Sequence, residues 1–442
     1  MYSHVHPARS GTTAMSETGF LKRRARLRRS AALTKYRLLA FLAVIGPGFI
    51  TANVDNDPGG ILTYSQAGAH FGYALLWTLI PTTVALVVVQ EMAARMGAIT
   101  GKGLSDLIRE TFGLRATFFT MLVLGLADLG NIAAEFAGIA SGFDLFHISK
   151  YVTVPLGALI VWAVIVYGSY QPVERLMLVL SLVYFCYPVS AFLAHPDWHA
   201  VVDQTVVPPA LHSSEYLVMI VGLIGTTITP WMQFYLQASI VEKGITERQY
   251  RLSRWDVILG CLVTDIVAFF IVVACGATLY VGGIRNINDA ADAAVALKPL
   301  VGRFASLLFG VGLINAALLS AAILPLATTY NICEGLGVEA GINKRFSEAP
   351  VFYWLYTSLI VFGAGVVLIP HLPLIKLILV SQVANGVLLP FVLFFMLKLV
   401  NRKDVMGRYC NSHFANVVAV ATSVVTITLT IGMLWTTIRG PR

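Results

Sequence analysis

Long apolar runs separated by short polar connections dominate the pattern of this chain. Most runs have about 20 residues or more, the length that an α-helix needs to cross a bilayer core. Eleven such runs predict eleven membrane-spanning helices and an all-α polytopic membrane protein. The runs lie at about 40–66, 71–94, 116–143, 152–168, 174–194, 216–241, 255–281, 302–332, 351–369, 373–397 and 414–437.

The composition supports the same class. Hydrophobic residues make up 57% of the chain and charged residues only 12%, whereas a soluble domain carries about 25% charged residues. A secreted enzyme, a soluble binding module and a disordered chain are therefore excluded. No nucleophile–base pair, metal-hydrolase motif or P-loop is present, so we expect neither an enzyme nor a resident cofactor.

The basic residues predict an orientation. Of the 31 Lys and Arg, 24 fall in the N-terminal tail (1–38) or in loops on the same side of the membrane as this tail. The positive-inside rule then predicts that the N-terminus is inside and the C-terminus outside. The net charge of +8 reflects this topology and contact with anionic lipid rather than nucleic-acid binding. We expect an integral membrane protein of a prokaryotic plasma membrane.

Two predicted helices contain helix-breaking residues at mid-length, at 55–60 and 226–231. Proline removes a backbone donor, and glycine has a low helix propensity. Free backbone groups at membrane depth are tolerated where they line a cavity or bind a ligand. If residues 39–195 and 215–398 form two five-helix repeats, with 413–437 as an eleventh helix, each break lies in the first helix of its repeat. Matched breaks of this kind indicate a midplane site in an inverted-repeat transporter.

Asp57 lies inside the first break. A charged Asp at the membrane centre costs about 2.5–3.5 kcal/mol on insertion scales. No Lys or Arg lies at the middle of a neighbouring predicted helix, so a bound cation is the simplest partner. The alternative is a protonated Asp beside a structural proline kink.

Several motifs resemble those of the NRAMP family of divalent-metal transporters, over residues 40–437. They are Gly46-Pro47-Gly48-Phe49, Asp57-Pro58-Gly59, Gln66-Ala67-Gly68-Ala69, the Arg95–Lys102 turn, Ala134-Glu135-Phe136, Ser381-Gln382-Val383 and Leu389-Pro390-Phe391. The resemblance implies a LeuT-like fold of two inverted five-helix repeats and an extra helix. It also implies a metal site of Asp, Asn and Met side chains with two backbone carbonyls.

The chain departs from that family pattern at the implied site. Asp57 matches the family aspartate, but Gly60 stands where the family has Asn and Thr229 where it has Met. The same register implies carbonyl ligands from Val54 and Thr226, and an amide ligand from Gln382. Asp55 and Asn56 add polar groups beside this site.

Loss of the thioether removes the ligand that selects soft metals, while oxygen ligands suit Mg²⁺ and Mn²⁺. Loss of the Asn opens volume for an ion that keeps its waters, as Mg²⁺ does. The sequence therefore resembles the NRAMP-related magnesium transporter branch. We expect hydrated Mg²⁺, and also Mn²⁺, to be transported by alternating access, with divalent ions and lipid as the partners of a monomer.

The residues that the resemblance connects with proton coupling also differ. Trp231 stands where the family has His, and 349–355 contains no Arg, while Glu135 is retained. An apolar ring cannot relay protons, so we expect transport driven by the electrochemical gradient alone. The alternatives are a proton-coupled Mn²⁺/Fe²⁺ symporter of the same family or an amino-acid transporter of the same fold.

Overall fold

The computed structural model describes residues 51–52, 54, 56–167, 181–209, 213–342 and 344–439. Within these ranges all the regular structure is helical. Eight helical segments are long and apolar enough to cross a membrane: Leu76–Thr100, Leu114–Asp144, Ser214–Glu242, Glu247–Tyr280, Ala290–Leu336, Pro350–Val367, Leu374–Val400 and His413–Trp435. The all-helical membrane class predicted from the apolar runs is confirmed. The predicted total of eleven helices stays a prediction, because 40–50 and 168–180 lie outside the described residues.

The α-helices are labelled here in chain order. The first nine are α1 (Pro58–Phe71), α2 (Leu79–Thr100), α3 (Leu104–Phe112), α4 (Leu114–Asp144), α5 (Lys150–Val166), α6 (Cys186–Leu193), α7 (Trp198–Val206), α8 (Ser214–Thr227) and α9 (Pro230–Glu242). The others are α10 (Glu247–Cys275), α11 (Ala290–Ala294), α12 (Lys298–Val301), α13 (Ala305–Leu336), α14 (Pro350–Val367), α15 (Leu374–Val400), α16 (Lys403–Met406) and α17 (His413–Arg439).

Glycine ends two of the long helices. Gly101 follows α2 with φ 65° and donates its amide to the Gly97 carbonyl. Gly337 follows α13 with φ 71°. This left-handed conformation costs glycine little because it has no Cβ, and the returning amide satisfies a carbonyl at the helix end. The connections that follow can therefore turn sharply at the ends of the helices.

Helix α4 lies at the centre of the packing, against α13, α14 and α15. Small residues allow the closest approaches. A Cβ at Gly138 of α4 would overlap the Pro58 ring at the start of α1, and a Cβ at Gly225 of α8 would overlap the Gln382 carbonyl of α15. Without a water-driven hydrophobic force between helices, such close backbone packing is a main source of association in a bilayer. Both close contacts lie next to the predicted breaks, so they fix the positions of the broken helices relative to α4 and α15.

The outer faces of the bundle are apolar. Large hydrophobic side chains are exposed along α4, α14 and α17, including Phe118, Leu126, Trp354 and Val424. Lipid tails are as apolar as these side chains, so such faces are stable in a bilayer. The short helix α7 follows α6, and Asp197 caps it by accepting from the amides of His199 and Ala200.

Candidate functional site

The first helix is interrupted at Asn56 and Asp57, and α1 begins at Pro58. Proline suits the first position of a helix, where its missing N–H would have no helical acceptor. Asp57 is the N-cap, and its Oδ1 accepts from the Gly60 amide at 2.6 Å. The observed break therefore ends earlier than the predicted 55–60, since Gly59 and Gly60 already lie in α1. Asp57 is 8% exposed and lies at the positive end of the helix dipole, which favours a carboxylate.

The second break separates α8 from α9. Helix α8 ends at Thr227 and α9 begins at Pro230, within the predicted 226–231. The Thr229 hydroxyl donates to the carbonyls of Gly225 (3.1 Å) and Thr226 (3.0 Å). Its single hydroxyl hydrogen is shared between these two carbonyls at the break, while its own lone pairs remain available as acceptors.

Gln382 of α15 lies between the two breaks. Its side-chain amide is packed on Gly59, where an added Cβ would overlap Nε2 and would lie 2.9 Å from Asp57 Oδ1. Its backbone carbonyl is packed on Gly225 of α8. Helices α1 and α8 are also linked directly, because the hydroxyls of Tyr64 and Thr227 are 2.7 Å apart. Gln382 thus contacts both broken helices, at Gly59 next to Asp57 and at Gly225 next to Thr226.

Glu135 on α4 completes this cluster. Its carboxyl lies within hydrogen-bonding reach of the Asp57 carboxyl and is 1% exposed. Neither Glu135 oxygen accepts a hydrogen bond from a donor in the described part of the chain. Two buried carboxyl groups repel each other unless a proton or a cation lies between them. The pair can therefore hold one or the other.

Two further amides extend the cluster away from the breaks. Asn131 and Asn385 exchange hydrogen bonds at 2.9 Å in both directions. The Asn385 Nδ2 also donates to Gln382 Oε1 at 3.1 Å. Asn385 was not among the residues predicted for the site. A sequence signal was present, because Gln382 and Asn385 are three residues apart on one face of an otherwise apolar helix.

The remaining predicted residues have different positions. Val54 is fully buried, and Asn56 is buried with no partner for its Oδ1 among the described residues. Trp231 lies buried in the first turn of α9, with its ring centroid 6.1 Å from that of Tyr235. Asp55 lies outside the described residues. Asn56 thus has a buried oxygen next to Asp57 that is unpaired within the described part of the chain, whereas the buried Trp231 ring packs near Tyr235.

The cluster is rich in oxygen and poor in charge. Across the described ranges, no group of three or more His, Cys, Asp and Glu side chains converges in a way that could hold a metal ion. An ion at the breaks would therefore be held by one or two carboxylates, by carbonyl, hydroxyl and amide oxygens, and by water. Hard cations accept such ligands, and Mg²⁺ usually keeps several of its waters.

The family model described as "Natural resistance-associated macrophage protein-like" (Nramp) matches residues 48–436. The chain belongs to the NRAMP family. A bacterial member, the divalent metal cation transporter MntH of Ralstonia nicotianae, is 30% identical over 424 residues that cover 90% of this chain and 92% of that protein. The match includes both broken helices.

Solved structures show the same fold as this NRAMP protein. The Eremococcus coleocola manganese transporter, in complex with an aromatic bis-isothiourea compound, has a TM-score of 0.71 at 22% identity. The match covers 88% of this chain and 85% of that one. A nucleobase-cation-symport-1 family transporter, with bromovinylhydantoin bound, has a TM-score of 0.54 at 14% identity and covers 88% of this chain and 91% of that one. The expected LeuT-like fold is confirmed.

Membership makes this NRAMP chain an integral membrane transporter and not an enzyme. Its site differs from the family pattern at Gly60, Thr229 and Trp231, as the resemblance indicates. The Gly60 amide donates to Asp57, and Thr229 donates to carbonyls. Both therefore serve the geometry of the breaks without supplying an amide or a thioether side chain.

Proposed function

We propose that this NRAMP protein transports divalent metal cations, with Mg²⁺ as the main substrate and Mn²⁺ as a second one. The observation that supports this most is the position of Asp57 at the first break, with Glu135 and Gln382 beside it. The named MntH relatives support divalent-metal transport in general. They are bacterial proteins, which agrees with a plasma-membrane location.

The preference for Mg²⁺ follows from the ligand types. The two breaks offer carboxylate, carbonyl, hydroxyl and amide groups, and Gly60 and Thr229 introduce no sulfur or imidazole. Oxygen-only sites suit Mg²⁺ and Mn²⁺, whereas thioethers favour softer metals. We propose that Asp57, Thr229, Gln382 and the carbonyls of Val54 and Thr226 bind an ion that keeps several waters. One chain supplies all of these groups, so the transporter is proposed to work as a monomer.

Transport without proton coupling is the second part of the proposal. Trp231 cannot carry a proton where the family pattern has His, and the N-terminal part of α14 contains no Arg. An interior-negative membrane potential contributes about 2.3 kcal/mol per charge per 100 mV, or about 4.6 kcal/mol for a dication. This is sufficient to drive uptake of Mg²⁺ down its electrochemical gradient.

Reconstitution into liposomes tests the proposal. Uptake of Mg²⁺, Mn²⁺ and Fe²⁺ would be followed with entrapped dyes, together with the internal pH. We expect uptake of Mg²⁺ and Mn²⁺ without acidification of the lumen. The Asp57→Ala variant should lose uptake of both ions, because it removes the carboxylate at the first break. The matched control is Asp203→Ala, which removes an exposed carboxylate on α7 and should transport normally. Exclusion of Mg²⁺ would disprove the substrate, and normal uptake by Asp57→Ala would disprove the site.

A proton-coupled Mn²⁺/Fe²⁺ symporter remains the second candidate. The Asp57–Glu135 contact favours it, because two facing carboxyl groups can share a proton that a cation displaces. The same liposomes distinguish the two functions. Acidification that accompanies Mn²⁺ uptake and disappears in Glu135→Gln would establish the symporter. The uncoupled transporter would take up Mg²⁺ in Glu135→Gln with no pH change in either protein.

A further inference from the structure

Three buried amides form a continuous chain from α4 to the space between the two breaks. Asn131, Asn385 and Gln382 are 2%, 1% and 3% exposed. Each is hydrogen-bonded to the next, with Asn385 in the middle. Buried polar groups in a membrane helix are costly unless they are paired. The pairing therefore fixes the direction in which each amide points.

The direction at Gln382 determines what the site offers to an ion. Its Nε2 is the side-chain atom nearest to the Cβ position of Gly59, while its Oε1 accepts from Asn385. The NH₂ group of an amide only donates, and a cation binds only its oxygen. Gln382 can bind a cation at the breaks through Oε1 only if its amide turns over. Rotation about the last side-chain torsion permits this, because that torsion has two broad minima.

Turning Gln382 alone would place its NH₂ group against the Nδ2 of Asn385. A buried donor would then face a donor, so Asn385 must turn over too. The reciprocal pair of Asn385 with Asn131 imposes the same requirement on Asn131. After all three have turned, Gln382 donates to Asn385 Oδ1 and the hydrogen bonds among the three amides are restored. Two outer partners must then change role. The Ser381 hydroxyl, which accepts from Gln382 Nε2 at 3.3 Å, would donate to Oε1, and the Asp128 carboxyl, which accepts from Asn131, would have to be protonated and donate to it. The three amides thus have two hydrogen-bonded arrangements, which differ in the direction of each bond between them. A mixed arrangement leaves a buried polar group unpaired.

We propose that these three amides reverse together when a divalent cation binds, so that Asn385 and Asn131 are positioning residues for Gln382. This inference rests on the proposed function, since it needs a cation at the breaks. Asn131 lies one helical turn from Glu135, on the same face of α4. Helix α4 therefore contacts the ion site twice, through Glu135 at Asp57 and through the amide chain at Gln382.

A double-mutant cycle in proteoliposomes tests the concerted reversal. The variants are Gln382→Leu, Asn385→Leu and the double variant, and the measurement is the KM for Mn²⁺ uptake. We expect each single variant to raise KM by roughly tenfold, because the loss of one good buried hydrogen bond changes an affinity by about this factor. The double variant should be no worse than Gln382→Leu, because Asn385 acts through Gln382. Additive effects, giving roughly a hundredfold increase, would overturn the proposal.

The Asn385→Asp variant gives a result that a merely structural role would not produce. A carboxylate at this position can only accept, so it holds the Gln382 NH₂ group and turns Oε1 towards the ion. We expect a lower KM for Mn²⁺ in the otherwise native protein and no decrease in the Gln382→Leu background. A decrease in both backgrounds would indicate simple charge attraction and would overturn the proposal.

Two controls separate the possible failures. Asn416→Leu removes an amide that bonds with Asn401 and Asn411 near the start of α17 and should leave KM unchanged. Asp57→Ala tests the ion site itself, so its normal uptake would reject the proposed function. Loss of uptake in Asp57→Ala combined with an additive cycle would reject only the amide reversal. If Asn385→Leu does not elute as a folded protein, the cycle is run with Asn131→Leu, for which the same expectations hold.

Discussion

Asp57 shows what a single residue can reveal at the level of the sequence. Its charge is conspicuous in an apolar run, and the Pro58 that follows it predicts a helix start. The structure places it as the cap of α1, with its oxygen bonded to Gly60. The contact between Asp57 and Glu135, which lie 78 positions apart in the sequence, was not predictable. It depends on Gly138, which allows α4 to approach Pro58.

Asn385 illustrates the opposite case. An amide in an apolar helix is compatible with helix bridging, with ligand binding or with a local hydrogen bond, and its own residue type does not choose among them. Its role depends on its hydrogen bonds with Asn131 on α4 and with Gln382 on its own helix, α15. Thr229 was expected as a ligand in place of Met. Its hydrogen bonds to Gly225 and Thr226 show a local role that the departure from the family pattern did not predict.

The proposed metal selectivity can be tested at individual residues of the breaks. The double variant Gly60→Asn, Thr229→Met introduces an amide and a thioether at the breaks. We expect the ratio of Mn²⁺ to Mg²⁺ uptake to rise, because thioethers favour transition metals over Mg²⁺. Competition of the two ions for uptake into liposomes measures this ratio. The single variants serve as controls, and an unchanged ratio in the double variant would contradict the argument from ligand softness.

The long helices could be predicted from the apolar runs with small errors at their ends. The run at 216–241 corresponds to α8 and α9 (214–227 and 230–242), and the run at 373–397 to α15 (374–400). Both the length and the mid-helix Pro230 were informative. Which helices pack against each other could not be predicted, since an apolar surface on a membrane helix suits lipid and protein equally well. The five-helix repeats at 39–195 and 215–398 stay predictions.

The close contact between α8 and α15 can be tested with a single substitution. In Gly225→Ala the new Cβ would overlap backbone atoms of Gln382 and Gly386 on α15. Overpacking of this kind typically costs about 1–3 kcal/mol. We expect a lower thermal unfolding midpoint in detergent and weaker Mn²⁺ uptake.

The matched control for this crossing is Gly365→Ala on α14. This glycine is exposed, and no atom lies within 4 Å of its added Cβ. Alanine favours a helix over glycine by about 0.5–1 kcal/mol, so the midpoint should stay or rise slightly. Equal loss of stability in the two variants would contradict a role for close backbone contact between α8 and α15.

The orientation of the whole molecule stays a prediction from its basic residues. Of 31 Lys and Arg, 24 are assigned to one side together with the tail 1–38. Alkaline phosphatase fused after Arg442 should be active in a bacterial host, because this enzyme requires the periplasm. Green fluorescent protein at the same position should be dark, whereas it should fluoresce when fused at the N-terminus. The reverse pattern at the C-terminus would contradict the N-in, C-out topology.

The contact between Gly225 and Gly386 has a mechanical consequence. The backbones of α8 and α15 touch there with no side chain between them, so a tilt of α15 against α8 would turn about this point. The Gln382 carbonyl also contacts Gly225, about 6 Å along α15 from Gly386, while Val400 lies about 21 Å from Gly386 at 1.5 Å per residue. A tilt of ~10° about this point would displace Val400 by about 4 Å and Gln382 by about 1 Å. A tilt of α15 about this contact would therefore move the Val400 end several times further than Gln382.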